Sequence, residues 1–237
     1  MVKLLKDINS NLQYKIAIWK GGSSMNVQLQ DLRSEHNPRV RIKIMHGHFA
    51  RSHSHGNTYI DLSTIKCRYE HAREAAKALA EPYYSSTEVD TILCLDGMEV
   101  VAAFLAEELA SSSNIAKNRG KEITIVTPEV IQHGYMLLRD NTKRMVENKK
   151  VLVLAGALNT GKTILQAIEA VDYYNGDVVG ICAVFSAARK VAGMDIHALF
   201  TQKEIPDYKL YSVKDCPMCK EGKPLDAIVN NYGYSGL

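Results

Sequence analysis

From about residue 87 the chain alternates two periods, and that alternation constrains its fold more than any other feature. Short, continuously apolar runs are each followed by segments whose apolar residues recur every three to four positions, the pattern of buried parallel strands joined by crossover helices. The run Val89 to Leu95 (VDTILCL) is mostly apolar with β-branched residues, as suits a strand covered on both faces. It ends at Asp96-Gly97 and gives way to MEVVAAFLAEELA, where Val101, Phe104, Leu105 and Leu109 share a helical face. Glu122 to Thr127 reads as a second strand stopped by Pro128, and Val151 to Ala155 as a third that enters a glycine-containing loop. A helix with Ile164, Leu165, Ile168 and Val171 on its apolar face follows, and Asp177 to Phe185 supplies a fourth strand. Upstream, the alanine-rich segment Glu70 to Glu81 reads as an amphipathic helix closed by Pro82, and NTYIDL before it as an outer strand.

The fold class expected is α/β, a parallel sheet flanked by helices. With 237 residues, 46% hydrophobic and 23% charged, the chain suits one α/β domain with an appendage. Residues 1–57, polar and turn-rich with Gly21-Gly22-Ser23-Ser24, are expected to form a small hood or flanking segment over a core of residues 58–204. Residues 205–237 form a tail packed on that core, with Tyr232 and Tyr234 expected to anchor it. The longest apolar runs, Val100 to Ala106 and Val151 to Leu158, fall short of the roughly 18 residues of a membrane helix. The opening MVKLLKDINSNLQYKIAIWK lacks the unbroken apolar stretch of a secretory signal, so a cytoplasmic location is expected. A net charge of +3 without a concentrated basic stripe argues against a nucleic-acid partner.

The loop after the third strand carries the strongest motif. Gly156 to Thr163 (GALNTGKT) satisfies the Gly, four residues, Gly-Lys-Thr pattern, and it lies between an apolar strand and a helix. Its backbone N–H groups and the helix dipole are placed to hold a phosphate. A P-loop NTPase is one reading, but it wants a downstream strand ending in Asp to hold magnesium. The strand DVVGICAVFSAA carries none.

The order and spacing of VDTILCLDGMEVVAAFLAEELA, EITIVT, VLVLAGALNTGKTILQAIEAV and DVVGICAVF resemble a type I phosphoribosyltransferase, and are most similar to the orotate phosphoribosyltransferases over roughly residues 55–225. The resemblance implies that Asn159, Thr160, Gly161, Lys162 and Thr163 wrap the 5-phosphate of phosphoribosyl pyrophosphate, with Asn159 and Lys162 departing from the family's loop. Lys162 would add a cation there. Asp96, Gly97, Met98 and Glu99 take the place of the pyrophosphate loop, with Asp96 or Glu99 as magnesium ligands. His133 matches a His-Gly pair at the end of a mobile loop, whose basic residue is sought among Lys117, Arg119 and Lys121. Ala155 and Gly156 stand where the family's two acids hold the ribose hydroxyls, so the motif is degenerate. The resemblance further implies a homodimer and, as substrates, phosphoribosyl pyrophosphate with a nucleobase, orotate by similarity. Two functions therefore stay open beside the NTPase: an active transferase, and a non-catalytic regulator that binds a phosphorylated ribose or nucleotide.

Two constellations lie outside that loop. His46, His48, His53 and His55 fall within ten residues, and His-x-His on a regular strand sends both rings to one face. A polar loop lining the cleft mouth is the expectation, a transition-metal site the alternative. Cys216-Pro217-Met218-Cys219 has zinc-knuckle spacing but supplies two ligands of four, so zinc would need Cys67 or a histidine as well. Similar Cys-Pro-x-Cys tails occur in some bacterial orotate phosphoribosyltransferases, and reduced structural thiols are the simpler reading.

Overall fold

The computed structural model describes residues 28–35, 37–111 and 117–237. The opening segment and the Gly21 to Ser24 turn, part of the hood expected over 1–57, lie outside the described residues. The chain enters with β1 (Gln30–Arg33), β2 (Arg41–Ala50) and β3 (Ser54–Asp61), then α1 (Ser63–Cys67) and α2 (Tyr69–Ala80). It continues through β4 (Thr91–Cys94), α3 (Glu99–Leu109), β5 (Thr124–Val126), the short pair β6 (Glu129–Val130) and β7 (Met136–Leu137), and α4 (Asp140–Lys143). Next come β8 (Lys150–Leu158), α5 (Lys162–Tyr173), β9 (Asp177–Ser186), β10 (Lys190–Val191) and β11 (Met194–Thr201). The tail adds β12 (Leu210–Ser212), α6 (Pro217–Lys220), β13 (Ala227–Asn230) and β14 (Gly233–Gly236).

The central sheet runs β10-β11-β9-β8-β4-β5, parallel throughout except for the edge strand β10. The apolar runs are continuous because their alternate residues feed two different cores. Ile92 and Cys94 of β4, Leu152 and Leu154 of β8, and Cys182 and Val184 of β9 pack on the side that holds the buried residues of α2 and α3. Leu93, Val151, Val153, Ala155, Ile181 and Ala183 face the other side, with Ile164, Ala167 and Val171 of α5. Leu165, expected on that helix face, is exposed, since it sits about 100° around the helix from Ile164.

The second sheet is the hood, and both ends of the described chain build it. Its order is β12-β3-β2-β13-β14, with β1 also paired to β2. Strand β3 crosses residue 57, so the hood continues to Asp61, and the tail supplies three of its strands. Ile42, Ile44 and Ile60 join the hood to the core shared with α1, α2 and α3. A small cluster of Met45, Phe49, Tyr59, Ala227 and Val229 fills its other face. Tyr234 packs edge-on against Tyr59 as expected of an anchor, with ring centroids 5.5 Å apart. Tyr232 does not anchor; it is 96% exposed at the mouth of the cleft described below. No helix among the described residues is long and apolar enough to cross a membrane.

Candidate functional site

The chain leaves β4 for β5 on one side and comes back to β8 on the other, so connections reverse direction between β4 and β8. In open α/β sheets the crevice beyond the carboxyl ends of the strands at such a point is where ligands bind. Here the hood closes over it. A cavity of about 260 Å³ is lined by Arg51, Tyr59 and Asp61 of the hood, Lys66 of α1, Asp96 and Gly97 after β4, and Asn231 between β13 and β14.

Asp96 is the centre of that cleft. Together with Gly97 it adopts a left-handed backbone, φ +59° and +71°, which turns the chain sharply between β4 and α3. Its Oδ2 accepts the Gly156 N–H at 3.1 Å, and its Oδ1 accepts from the Asn231 side-chain amide. Gly156 permits this approach: a Cβ there would sit 3.2 Å from both Asp96 Cβ and Leu62 Cδ1. Lys66 Nζ donates to the Asp96 main-chain carbonyl and, at 2.7 Å, to that of Asn231. Burial pushes the Asp96 carboxyl above the ordinary carboxylate range, against the opposing pull of the Gly156 N–H and the Lys66 ammonium. Burial likewise lowers Lys66, opposed by Asp96 and Glu99. Arg51 contributes a second cation, and its Nε is buried with no hydrogen-bond partner.

The phosphate-loop residues sit together at the carboxyl end of β8. Gly161 carries φ +77° and precedes α5 without a side-chain cap, which leaves the first-turn N–H groups of that helix directed at the loop. Thr160, Lys162 and Thr163 are exposed, while Asn159 is held by its Oδ1, which accepts from the buried Tyr208 hydroxyl. Strands β9 and β11, downstream of the loop, end in Ser186 and Thr201, neither of them an acid.

The other expected residues divide. Glu99 is exposed on the first turn of α3 and its Oε1 accepts from Thr127 Oγ1 at 3.3 Å, whereas Met98 is fully buried core. His133 is exposed with φ +62°, and its carbonyl accepts from Gln166 of α5 at 2.9 Å, which ties the His-Gly turn to the helix that follows the phosphate loop. Lys121 lies at the opposite edge of the sheet, paired with Asp90 and Glu88 before β4 begins. The extended run from Asp90 to Asp96 separates that edge from the cleft by on the order of 20 Å. Lys117 is there too, its N–H on the Tyr84 carbonyl, and Arg119 lies between them in sequence. None of the three lines the cavity.

Cys216 and Cys219 meet His48 and His55 inside the hood, apart from the cavity, and these four could hold a metal ion. The histidine cluster therefore does not line the cleft mouth as a unit. One extra residue in β2, between His46 and Phe49, breaks the period-2 alternation, so His46 is exposed and His48 is buried. His53 is exposed and Cys67 lines the cavity instead.

No family model matches the chain. It is similar to the orotate phosphoribosyltransferase of Chlorobium phaeobacteroides, 25% identical over 188 residues that cover 78% of this chain and 88% of that protein. Its similarity to the Caldicellulosiruptor saccharolyticus enzyme of the same name is 26% over 185 residues, covering 77% and 87%. Among solved structures, the UMP synthase of Leishmania donovani superposes with a TM-score of 0.51 at 16% identity, covering 76% of this chain and 36% of that one. The chain is a relative of the orotate phosphoribosyltransferases and has the α/β fold of the type I phosphoribosyltransferases.

Proposed function

We propose that the cleft binds phosphoribosyl pyrophosphate and an anionic nucleobase, orotate by similarity, and transfers the phosphoribosyl group between them, with Asp96 standing in for the acids missing at Ala155 and Gly156. The observation that carries this reading is the Gly156 N–H to Asp96 Oδ2 hydrogen bond at 3.1 Å. A carboxylate from the end of β4 lies over the strand position that lacks one, within reach of a sugar bound there. The 5-phosphate would rest on Thr160, Gly161 and Thr163 at the start of α5, with Lys162 adding charge. Arg51, which lines the cavity, matches the carboxylate of the base, because a guanidinium fork pairs well with such a group. Magnesium takes one or two carboxylates plus phosphate oxygens, and exposed Glu99 suits it better than Asp96, both of whose oxygens already accept hydrogen bonds. Transfer passes through a sugar of oxocarbenium character, so these residues act by positioning and by stabilising charge. The homodimer belongs to the same reading.

A second reading, binding without turnover, is favoured by Asn231, whose side chain occupies Asp96 Oδ1 while its carbonyl is held by Lys66. Calorimetric titration with phosphoribosyl pyrophosphate and magnesium, followed by an orotate-consumption assay, tests both. Binding that disappears in Thr160→Ala with Thr163→Ala supports the site, and turnover decides between the readings. No binding by the wild-type chain sinks both.

A further inference from the structure

The hood contains a second constellation that the cleft does not use. His48 comes from the bulged stretch of β2, His55 from β3, and Cys216 and Cys219 from the turn that opens α6. Their ligating atoms all lie within 4.8 Å of one another. The measured edges are 3.1 Å from His48 Nε2 to His55 Nδ1, 3.4 Å and 3.5 Å from His48 Nε2 to the sulfurs of Cys216 and Cys219, and 3.2 Å from Cys219 Sγ to His55 Nδ1. A tetrahedral zinc ion with Zn–N near 2.05 Å and Zn–S near 2.3 Å requires N···N edges of about 3.3 Å and N···S edges of about 3.6 Å. The four side chains already stand close to that tetrahedron.

Hydrogen bonding among neutral groups explains the arrangement less well. His48 Nδ1 faces two main-chain carbonyls, of Lys223 at 3.0 Å and Pro224 at 3.1 Å. Carbonyls only accept, so Nδ1 carries the proton and Nε2 presents a bare lone pair in the neutral ring. That lone pair meets an imidazole nitrogen and two sulfurs, three neighbours where one hydrogen bond can be accepted. One cation in the middle satisfies all four groups. An imidazole fixed through its far N–H to a backbone carbonyl is also how histidine ligands are held in metal sites. The cysteines are free thiols rather than a disulfide.

We propose that His48 Nε2, His55 Nδ1, Cys216 Sγ and Cys219 Sγ bind one zinc ion that clips the C-terminal segment to the β2–β3 hairpin. Two thiolates and two imidazoles select zinc over magnesium or calcium, and four protein ligands leave no open position, so the ion is structural. The clip reaches the cleft through a short lever. Asp226 exchanges hydrogen bonds with the His48 backbone at 2.7 and 2.8 Å, and β13 then leads from Ala227 to Asn231 over Asp96. Only the pairs Ala227 with Phe49 and Ile228 with Ala50 join β13 to β2. The ion therefore fixes where the tail presents Asn231, whatever the cleft binds or transforms.

The test is elemental analysis of the full chain purified without chelator, with cobalt substitution of the same protein. The expected result is one zinc per chain, lost in Cys216→Ser with Cys219→Ser and retained in His46→Ala and in Cys67→Ser. Cobalt should give the intense visible bands of a tetrahedral site, with a sulfur-to-cobalt charge-transfer band that weakens in Cys219→Ser. If the double variant does not fold, the wild-type cobalt spectrum decides alone. Metal-free wild type that develops no cobalt bands, a spectrum without charge transfer, zinc content unchanged by removing both thiols, or a Cys216–Cys219 disulfide in freshly purified protein would each overturn the proposal.

Discussion

Lys66→Met removes the one ammonium that joins α1, the turn after β4 and the tail, while keeping the length and most of the apolar stem of the side chain. The lysine makes two hydrogen bonds from a charged donor, to the carbonyls of Asp96 and Asn231. Such bonds contribute roughly 1.5–3 kcal/mol each. Their sum is offset by several kcal/mol for holding a cation out of water, and about 2 kcal/mol of net destabilisation remains. With a urea m-value of about 2 kcal/mol/M, the unfolding midpoint should fall by about 1 M. The pH dependence gives the sharper signature. Burial raises the Asp96 carboxyl and Lys66 is among the groups that hold it down, so the variant raises it further. An acid whose folded pKa exceeds its unfolded value costs the folded state stability as pH rises through that interval. The deficit of the variant should therefore be smaller at acid pH, where Asp96 is protonated in both proteins, than at neutral pH, where the wild type holds it charged more readily. It grows further once the pH passes the lowered pKa of Lys66, because the unfolded wild type still binds a proton that the folded one has shed. Urea melts at both pH values read this directly. A midpoint shift of equal size at each pH, or none at either, would refute the coupling of Lys66 to Asp96.

Arg51→Gln should weaken orotate binding by roughly 10- to 100-fold, the loss of one charged hydrogen-bonding group, and leave ribose 5-phosphate affinity unchanged; calorimetry with each ligand checks it, and equal losses for both would remove Arg51 from base recognition. Gly161→Ala should destabilise by about 2–4 kcal/mol, because φ is +77° and the new Cβ would lie 2.5 Å from Val191 Cγ2. Adding Val191→Ala should relieve the steric part of that loss in chemical denaturation and leave the backbone part, so a double variant no more stable than the single one contradicts the contact.

The buried strands were legible because a strand covered on both faces has little room for polar residues, and the apolar runs Ile92 to Leu95 and Val151 to Ala155 suit no other use. Strand β11 escaped the same reasoning. Lying outside β9 and carrying Asp195 and His197 in partly exposed positions, it lacks the continuous apolar run that marks its neighbours. The phosphate loop announced itself through local chemistry, glycines and hydroxyls at fixed spacing before a helix. Asp96 was visible as a turn residue, but its role depends on a neighbouring strand position 60 residues away, where Gly156 leaves it room. Arg51, Lys66 and Asn231 carried no local signal, since each stands among ordinary surface-type residues and becomes part of the cleft only when the hood closes. The histidines misled for a definite reason: alternation assumes a regular strand, and a single bulge residue separated His46 from His48.

A hood woven from both ends of the chain also sets an order for synthesis. Strands β2 and β3 leave the ribosome early, yet β12 and β13, which pair with their outer edges, follow only after roughly 150 more residues. At translation rates of about 5–20 residues per second, the nascent hairpin waits on the order of ten to thirty seconds with hydrogen-bonding groups exposed. Open strand edges of that kind are templates for pairing with other chains. During this interval the protein is most exposed to aggregation and most dependent on chaperones, and a chain without residues 226–237 would keep β1 and β12 beside the hairpin but leave the outer edge of β2 at Phe49 and Ala50 permanently unpaired.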